Sequence, residues 1–385
     1  MPTESRAHRL SLKVLPVGIL LFVTGFLWAP SNDVLRVIFH LSFVFPLLVV
    51  WPWRSWPLER VGGMATVFAL SFAALGVLST LWGNSADLPF FIWQWLLLAA
   101  WLAGICWWQC RHGTDLRFMY HLLLGVGLLS AVSVLGVFYA QQPWSERLYG
   151  WTIAQNPVVV AQTYGVLVII AYVLSLQSVS RRVSLAYLAA ALVLMLPVLM
   201  SQSRWPVLGV VLVSGLALLL TRPPRGILLA QLPVYLLVGV AVLVLEPVRF
   251  WEARGLSFRD AIWSEVLQLS WQHPWLGAGY SAEGHIPLEV GDFHHAHNAW
   301  IDSFYWLGLA GLLLGLCHLQ RVLAACRMRA EVLPLSLWFL FGCFCLLTDS
   351  RTLFWEINSK WFLYWVPAGL LVAAAYRPSY SSSGA

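Results

Sequence analysis

Apolar runs of 15 to 24 residues recur along the chain, separated by breaks that bear charge, proline or glycine. Runs of that length match the hydrocarbon thickness of a bilayer, so the pattern predicts about twelve membrane-spanning helices. They fall near 13–29, 35–52, 61–83, 88–109, 117–140, 157–178, 183–201, 205–221, 226–246, 299–319, 332–347 and 360–376. One stretch departs from the rhythm. Residues 247–298 contain no span, and within them Ser257-Phe-Arg259-Asp260 has the form of a capped helix start. Phe258, Ile262, Val266 and Leu269 follow at helical spacing and predict an amphipathic helix on the membrane surface. His273-Pro274 stops it, and Leu276-Gly277-Ala278-Gly279-Tyr280 predicts a turn. The expected organisation is therefore an all-α, polytopic membrane fold. Residues 1–246 hold helices one to nine, 247–298 a long loop, and 299–385 the last three helices and a short tail.

Charge orients this map. With the first residues in the cytoplasm, 15 of the 23 Lys and Arg fall in cytoplasmic segments and 8 outside, as the positive-inside rule requires. Both termini are then cytoplasmic. The long loop lies on the outer side. Composition agrees with the class: 60% hydrophobic, 10% charged, 23 tryptophans and a mean hydropathy of +0.75. The net charge of +6 comes from scattered residues, which excludes a nucleic-acid surface as a reading. The first apolar run, Leu15 to Trp28, lacks a small-residue cleavage site and is expected as a retained helix. The six cysteines form no disulfide framework; Cys106 and Cys110 are expected as packing residues.

The densest polar cluster is Asp292-Phe-His294-His295-Ala-His297-Asn298-Ala-Trp300, at the mouth of the span that follows. A helix beginning near His297 would carry Phe304, Gly308, Gly311 and Gly315 on the histidine's own stripe. The charge map brings Arg147, Asn156, Arg204, Arg259, His295, His297 and Asp349 to the same side, with Arg351 two residues beyond. Arg204 sits in a turn too short to leave the bilayer boundary, where a charge is costly unless paired or functional. Snorkelling or an ion pair with Asp349 is the plainer account. Arg259 is expected on the surface helix, where a solvated charge is the plainer account. Two arginines that stay charged at physiological pH suit a diphosphate. For His297, a structural hydrogen bond stands against a general base kept neutral by the helix N-terminus. A zinc site of Asp292, His294, His295 and His297 is the competing reading, but helical H-x-x-x-H spacing and outer cysteines are both missing.

His297-Asn298 followed by Gly308 and Gly311 resembles the signature of the O-antigen ligase and polymerase superfamily, in its ligase form. Three further stretches are similar to that family: Gly150 to Ala161 with Asn156-Pro157, Ser203-Arg204, and Arg259-Asp-Ala-Ile-Trp263 with Pro274-Trp-Leu-Gly277-Ala-Gly279. The resemblance runs in order from about residue 145 to 351. It implies a GT-C-like, metal-independent, inverting glycosyltransferase of the bacterial inner membrane, with no cofactor and a periplasmic active site. Its donor would be a glycan on undecaprenyl diphosphate and its acceptor lipid A-core, with membrane lipids around it. By the same resemblance Arg204 and Arg259 would bind the diphosphate and His297 would activate the acceptor hydroxyl. His295, Asn298, Asn156, Arg147, Asp349 and Arg351 would contact substrate.

A polymerase is the nearest alternative: Arg204 and Gly215 match an Arg-and-Gly spacing of some polymerases, although Gly215 falls inside a span. A transporter or flippase should place ionisable groups mid-span, and such charges are nearly absent here.

Overall fold

The computed structural model describes residues 6–50, 63–85, 87–229, 259–281, 286–289, 295–326 and 329–375. The ninth expected span beyond residue 229, Ser257 and Phe258, and Asp292 and His294 lie outside the described residues.

Among the described residues the chain is all-helical, with no strand. Eight helices are long and apolar enough to cross a membrane: α1 (Arg6–Trp28), α2 (Asn32–Val50), α4 (Leu88–Arg111), α5 (Leu116–Tyr139), α6 (Pro157–Gln177), α7 (Arg181–Met200), α8 (Arg204–Thr221) and α10 (Ala299–Ala325). Shorter apolar helices α3 (Gly63–Ser79), α11 (Leu333–Thr348) and α12 (Trp361–Ala375) stand among them. The chain is a multi-pass membrane protein.

Helix α6 is the centre of the bundle. Nearly every residue from Val160 to Leu176 is buried, so it is apolar on all faces, as a helix enclosed by other helices must be. It packs on α7, α8 and α11. Small residues set the spacing: a Cβ on Gly165 would run into the Phe341 ring, and one on Gly209 into Phe344. In an apolar solvent, close packing of this kind holds helices together. Buried indoles satisfy carbonyls released by the widened π-helical turn Trp361–Trp365 at the head of α12. Trp101 donates to the Trp365 carbonyl and Trp338 to that of Phe362, each at 2.8 Å.

Two expectations change. The amphipathic helix forms as α9 (Arg259–Ser270), but its apolar stripe turns into the protein. Ile262 and Val266 are fully buried and α9 packs on α10, so the stripe meets a helix where a lipid surface was expected. Second, α10 is not one continuous stripe from His297. It starts at Ala299, capped by Asn298, and breaks at Gly308, whose backbone is left-handed (φ +63°).

The break is filled by the segment Pro274–Gly279. Tyr305 and Trp306 carbonyls accept from the Ala278 and Gly279 amides at 2.8 and 2.9 Å. The amides of Leu309 and Ala310 donate to the Pro274 and Trp275 carbonyls at 2.8 and 3.1 Å. Backbone groups freed by the kink are thus paired, a requirement wherever water is excluded. A Cβ on Gly308 would strike the backbone of Trp275 and Leu276, and one on Gly277 that of Trp306 and Leu307.

Candidate functional site

The site gathers at one end of the bundle, where α6, α8, α9 and α10 begin and α7 and α11 end. Each start is specified locally. Asn156 caps α6, its side-chain oxygen accepting from Val158 N–H at 2.8 Å, with Pro157 at the first helical position. Ser203 precedes α8 after Gln202, which is left-handed (φ +52°) and closes the tight turn from α7. Asn298 caps α10, accepting from Trp300 and Ile301 N–H at 3.0 and 3.2 Å.

Between these ends lies a cavity of about 250 Å³, lined by Arg147, Asn156, Arg204, Arg259, His297 and Asp349, with Gln202, Ser203 and Trp205 among its other walls. Three arginines face one aspartate there, a surplus of two positive charges before the histidine is counted. The N-terminal ends of α6, α8 and α9 add the positive poles of their dipoles. Such a cavity attracts an anion of high charge density, a phosphate or diphosphate.

Each polar wall is held. Arg147 donates from Nε to the Ser201 carbonyl at 2.7 Å and from a terminal nitrogen to Ser203 Oγ at 3.1 Å. It therefore braces the turn that presents Arg204 as well as lining the cavity. Arg259 donates from Nε to the Thr348 carbonyl at 2.8 Å, which fixes its guanidinium plane and leaves the terminal fork to meet an anion. Burial lowers the Arg259 pKa and the facing Asp349 charge opposes that.

His297 adopts a left-handed backbone (φ +52°), a conformation costing about 1–3 kcal/mol for a residue with a side chain. Its Nδ1 lies 3.0 Å from Asp349 Oδ1, and its amide donates to His295 Nδ1 at 3.1 Å. With Nδ1–H given to the carboxylate, Nε2 is the ring nitrogen that takes a proton. Burial raises the Asp349 pKa, but the His297 hydrogen bond and the charges of Lys360 and Arg259 outweigh it and bring it down to about 2. Lys360 also donates to the Asp349 carbonyl at 2.9 Å.

Three predicted residues sit beside the cavity and not on its wall. The Asn298 side-chain oxygen is engaged as the cap of α10. The His295 ring packs against that of His297, centroids 4.0 Å apart and planes tilted by 54°; burial, then the neighbouring His297, Arg351 and Lys360, hold its pKa down to about 3 against the pull of Asp349. Arg351 lies over the Trp355 ring at 5.2 Å and within Coulombic reach of Asp302 and Tyr280.

Asp302 is a residue the sequence argument missed. Fully buried in the first turn of α10, it accepts from the Ala296 amide at 2.7 Å and so folds the His295–Asn298 loop back over the helix end. The signal was there, an acid in the first turn of an otherwise apolar helix. Among the described residues no group of three His, Cys, Asp or Glu could hold a metal.

Fold and site together define a multi-pass membrane protein with an arginine- and histidine-lined cavity at one end of its helices. A family model described as O-Antigen ligase matches residues 188–316, the stretch carrying Arg204, Arg259, His295, His297 and Asn298. An O-antigen ligase of Pseudomonas aeruginosa is 27% identical, over 97% of this chain and 94% of the relative. The chain is thus similar to O-antigen ligases, through the family model over residues 188–316 and through this relative over nearly its whole length.

Proposed function

We propose that the protein is an O-antigen ligase of the bacterial inner membrane. On this reading it transfers a glycan from undecaprenyl diphosphate to a sugar of lipid A-core at the periplasmic face, forming lipopolysaccharide. The observation that carries the reading is the convergence of Arg147, Arg204, Arg259, His297 and Asp349 on one cavity, from five separate parts of the chain.

The chemistry follows from those groups. The acceptor hydroxyl attacks the anomeric carbon as the carbon–oxygen bond to the diphosphate breaks, on opposite faces of the sugar, so the configuration inverts. The hydroxyl proton passes to His297 Nε2, and Asp349 stabilises the imidazolium that forms. The diphosphate leaves with the electron pair, its charge balanced by Arg204 and Arg259. Arginine hydrogen bonds aimed at a developing oxyanion do the work a divalent cation does elsewhere, so no metal is required. The side assignment rests on the distribution of Lys and Arg, and both termini are then cytoplasmic.

Purified protein in lipid nanodiscs, given the lipid-linked glycan and lipid A-core, tests this directly. Product is expected with and without chelator, and His297→Ala should abolish it. Full ligation by His297→Ala would overturn the assignment. In cells, loss of the gene should leave bare lipid A-core with full-length glycan still on its carrier. Core bearing a single repeat would indicate a polymerase instead.

A further inference from the structure

A second cavity of about 290 Å³ opens at the same end of the bundle, lined by Trp82, Asn84, Ser281, Tyr305 and Trp306 and by the backbone of Gly83 and Gly279. We propose that it is a sugar subsite, holding one pyranose unit of either the acceptor core or the transferred glycan. This rests on the ligase reading above.

The walls carry both kinds of contact that a sugar needs. Tyr305 and Trp306 stand nearly perpendicular, ring centroids 4.8 Å apart and planes at 81°, so they form an aromatic corner. The apolar C–H face of a pyranose packs on such a surface, while its hydroxyl rim requires donors and acceptors. The Asn84 amide supplies both at the rim of the cavity. An anchoring belt would point its aromatics outward to lipid. Here Trp306 is 3% exposed, and Trp82, although exposed at 38%, lines the same polar concavity.

The cavity is tied to the catalytic end by backbone. Ala278 and Gly279, both lining it, donate to the Tyr305 and Trp306 carbonyls, which locks the aromatic corner to that segment. A Cβ on Gly83 would strike the backbone of Gly279 and Tyr280, so two segments of the chain meet at the floor with no side chain between them. Tyr280, the next residue, bonds through its hydroxyl to Thr352 Oγ1 at 2.5 Å, three residues beyond Asp349. A sugar held here is positioned by the same framework that carries the His297–Asp349 pair.

Three variants test the subsite: Trp82→Ala, Trp82→Phe, and Asn84→Gly. Glycine is chosen because Asn84 is left-handed (φ +54°), so the backbone is kept while the amide is removed. Initial rates are measured in nanodiscs, varying lipid A-core and lipid-linked glycan in turn. For Trp82→Ala the KM of one substrate is expected to rise about ten-fold with kcat little changed, and Trp82→Phe should recover much of it. A rise for lipid A-core alone assigns the unit to the acceptor; a rise for the donor alone assigns it to the glycan. Quenching of tryptophan fluorescence by delipidated core oligosaccharide, or by released glycan, reads the subsite without turnover. An inactive wild type whose fluorescence still responds through Trp82 would sink the ligase reading and keep the subsite. Unchanged KM values and quenching in Trp82→Ala, with only a lowered Tm, would overturn the subsite and leave an anchoring residue.

Discussion

His297 and Asp349, 52 residues apart in the chain, meet at 3.0 Å between Nδ1 and Oδ1. One belongs to the loop that enters α10 and the other ends α11, so the pair exists only when those two ends are held together. If Asp349 orients the ring and stabilises its charged form, Asp349→Asn should lower kcat about 100-fold with little change in either KM. The measurement is steady-state kinetics on variants whose Tm in detergent is close to that of the wild type. A kcat within two-fold of wild type would show that the pair is only structural.

Arg147 touches the Ser201–Ser203 turn and the cavity at once, and the two roles separate by experiment. Arg147→Ala removes both bonds to the turn; Ser203→Ala removes one. A coupling of about 1–2 kcal/mol between the two changes is expected in a double-mutant cycle on Tm-derived stability. Donor KM should rise for Arg147→Ala, since that variant removes a positive charge from the cavity wall, and much less for Ser203→Ala. Equal effects on donor KM would show that Arg147 acts by bracing alone.

Much of the helical pattern, and most of the polar residues that line the cavity, could be read from residue order. Apolar runs between polar breaks mark helices because a bilayer tolerates few other structures. Asn156 and Asn298 lie where helix caps belong, and an arginine in a short turn at the bilayer boundary announces itself by its cost. The backbone departures were not visible. A glycine at Gly308 satisfies a helical stripe as well as a break does, and the segment that fills the break lies some 30 residues upstream. The left-handed turn at His297, and Arg351 set among Asp302, Tyr280 and Trp355, depend on contacts between loops that no local pattern encodes.

Gly308 gives the sharpest structural prediction. An alanine there must adopt a left-handed backbone, and its Cβ would press on the Trp275–Leu276 backbone. The helix must then straighten or the 274–279 segment must withdraw, and either breaks the four bonds that pair the kink. Gly308→Ala should lower stability by at least about 1–3 kcal/mol, read as a drop in Tm in detergent. Gly215→Ala is the control, because nothing lies within 4 Å of the Cβ it would add and its backbone is helical. Equal Tm values for the two would mean that the break is not needed for the fold.

The last prediction concerns pH. His295 is held neutral mainly by burial, with a folded pKa of about 3 against about 6.5 in an unfolded chain. Between those values the unfolded state binds a proton that the folded state does not. Stability therefore rises with pH across this window and falls as the solution is acidified from pH 6.5 toward 3. Asp349 works in the same sense, but only in the lower window, from its unfolded value near 3.9 down to about 2. Between pH 7 and pH 5 the histidine is read, by thermal unfolding, from the difference between the wild type and a variant that cannot titrate there. Its contribution to stability should fall over that range by about 1 kcal/mol per pH unit. His295→Gln should flatten the slope, since glutamine keeps an acceptor for the His297 amide and has no titrating proton. An unchanged slope in that variant would place the acid sensitivity elsewhere in the protein.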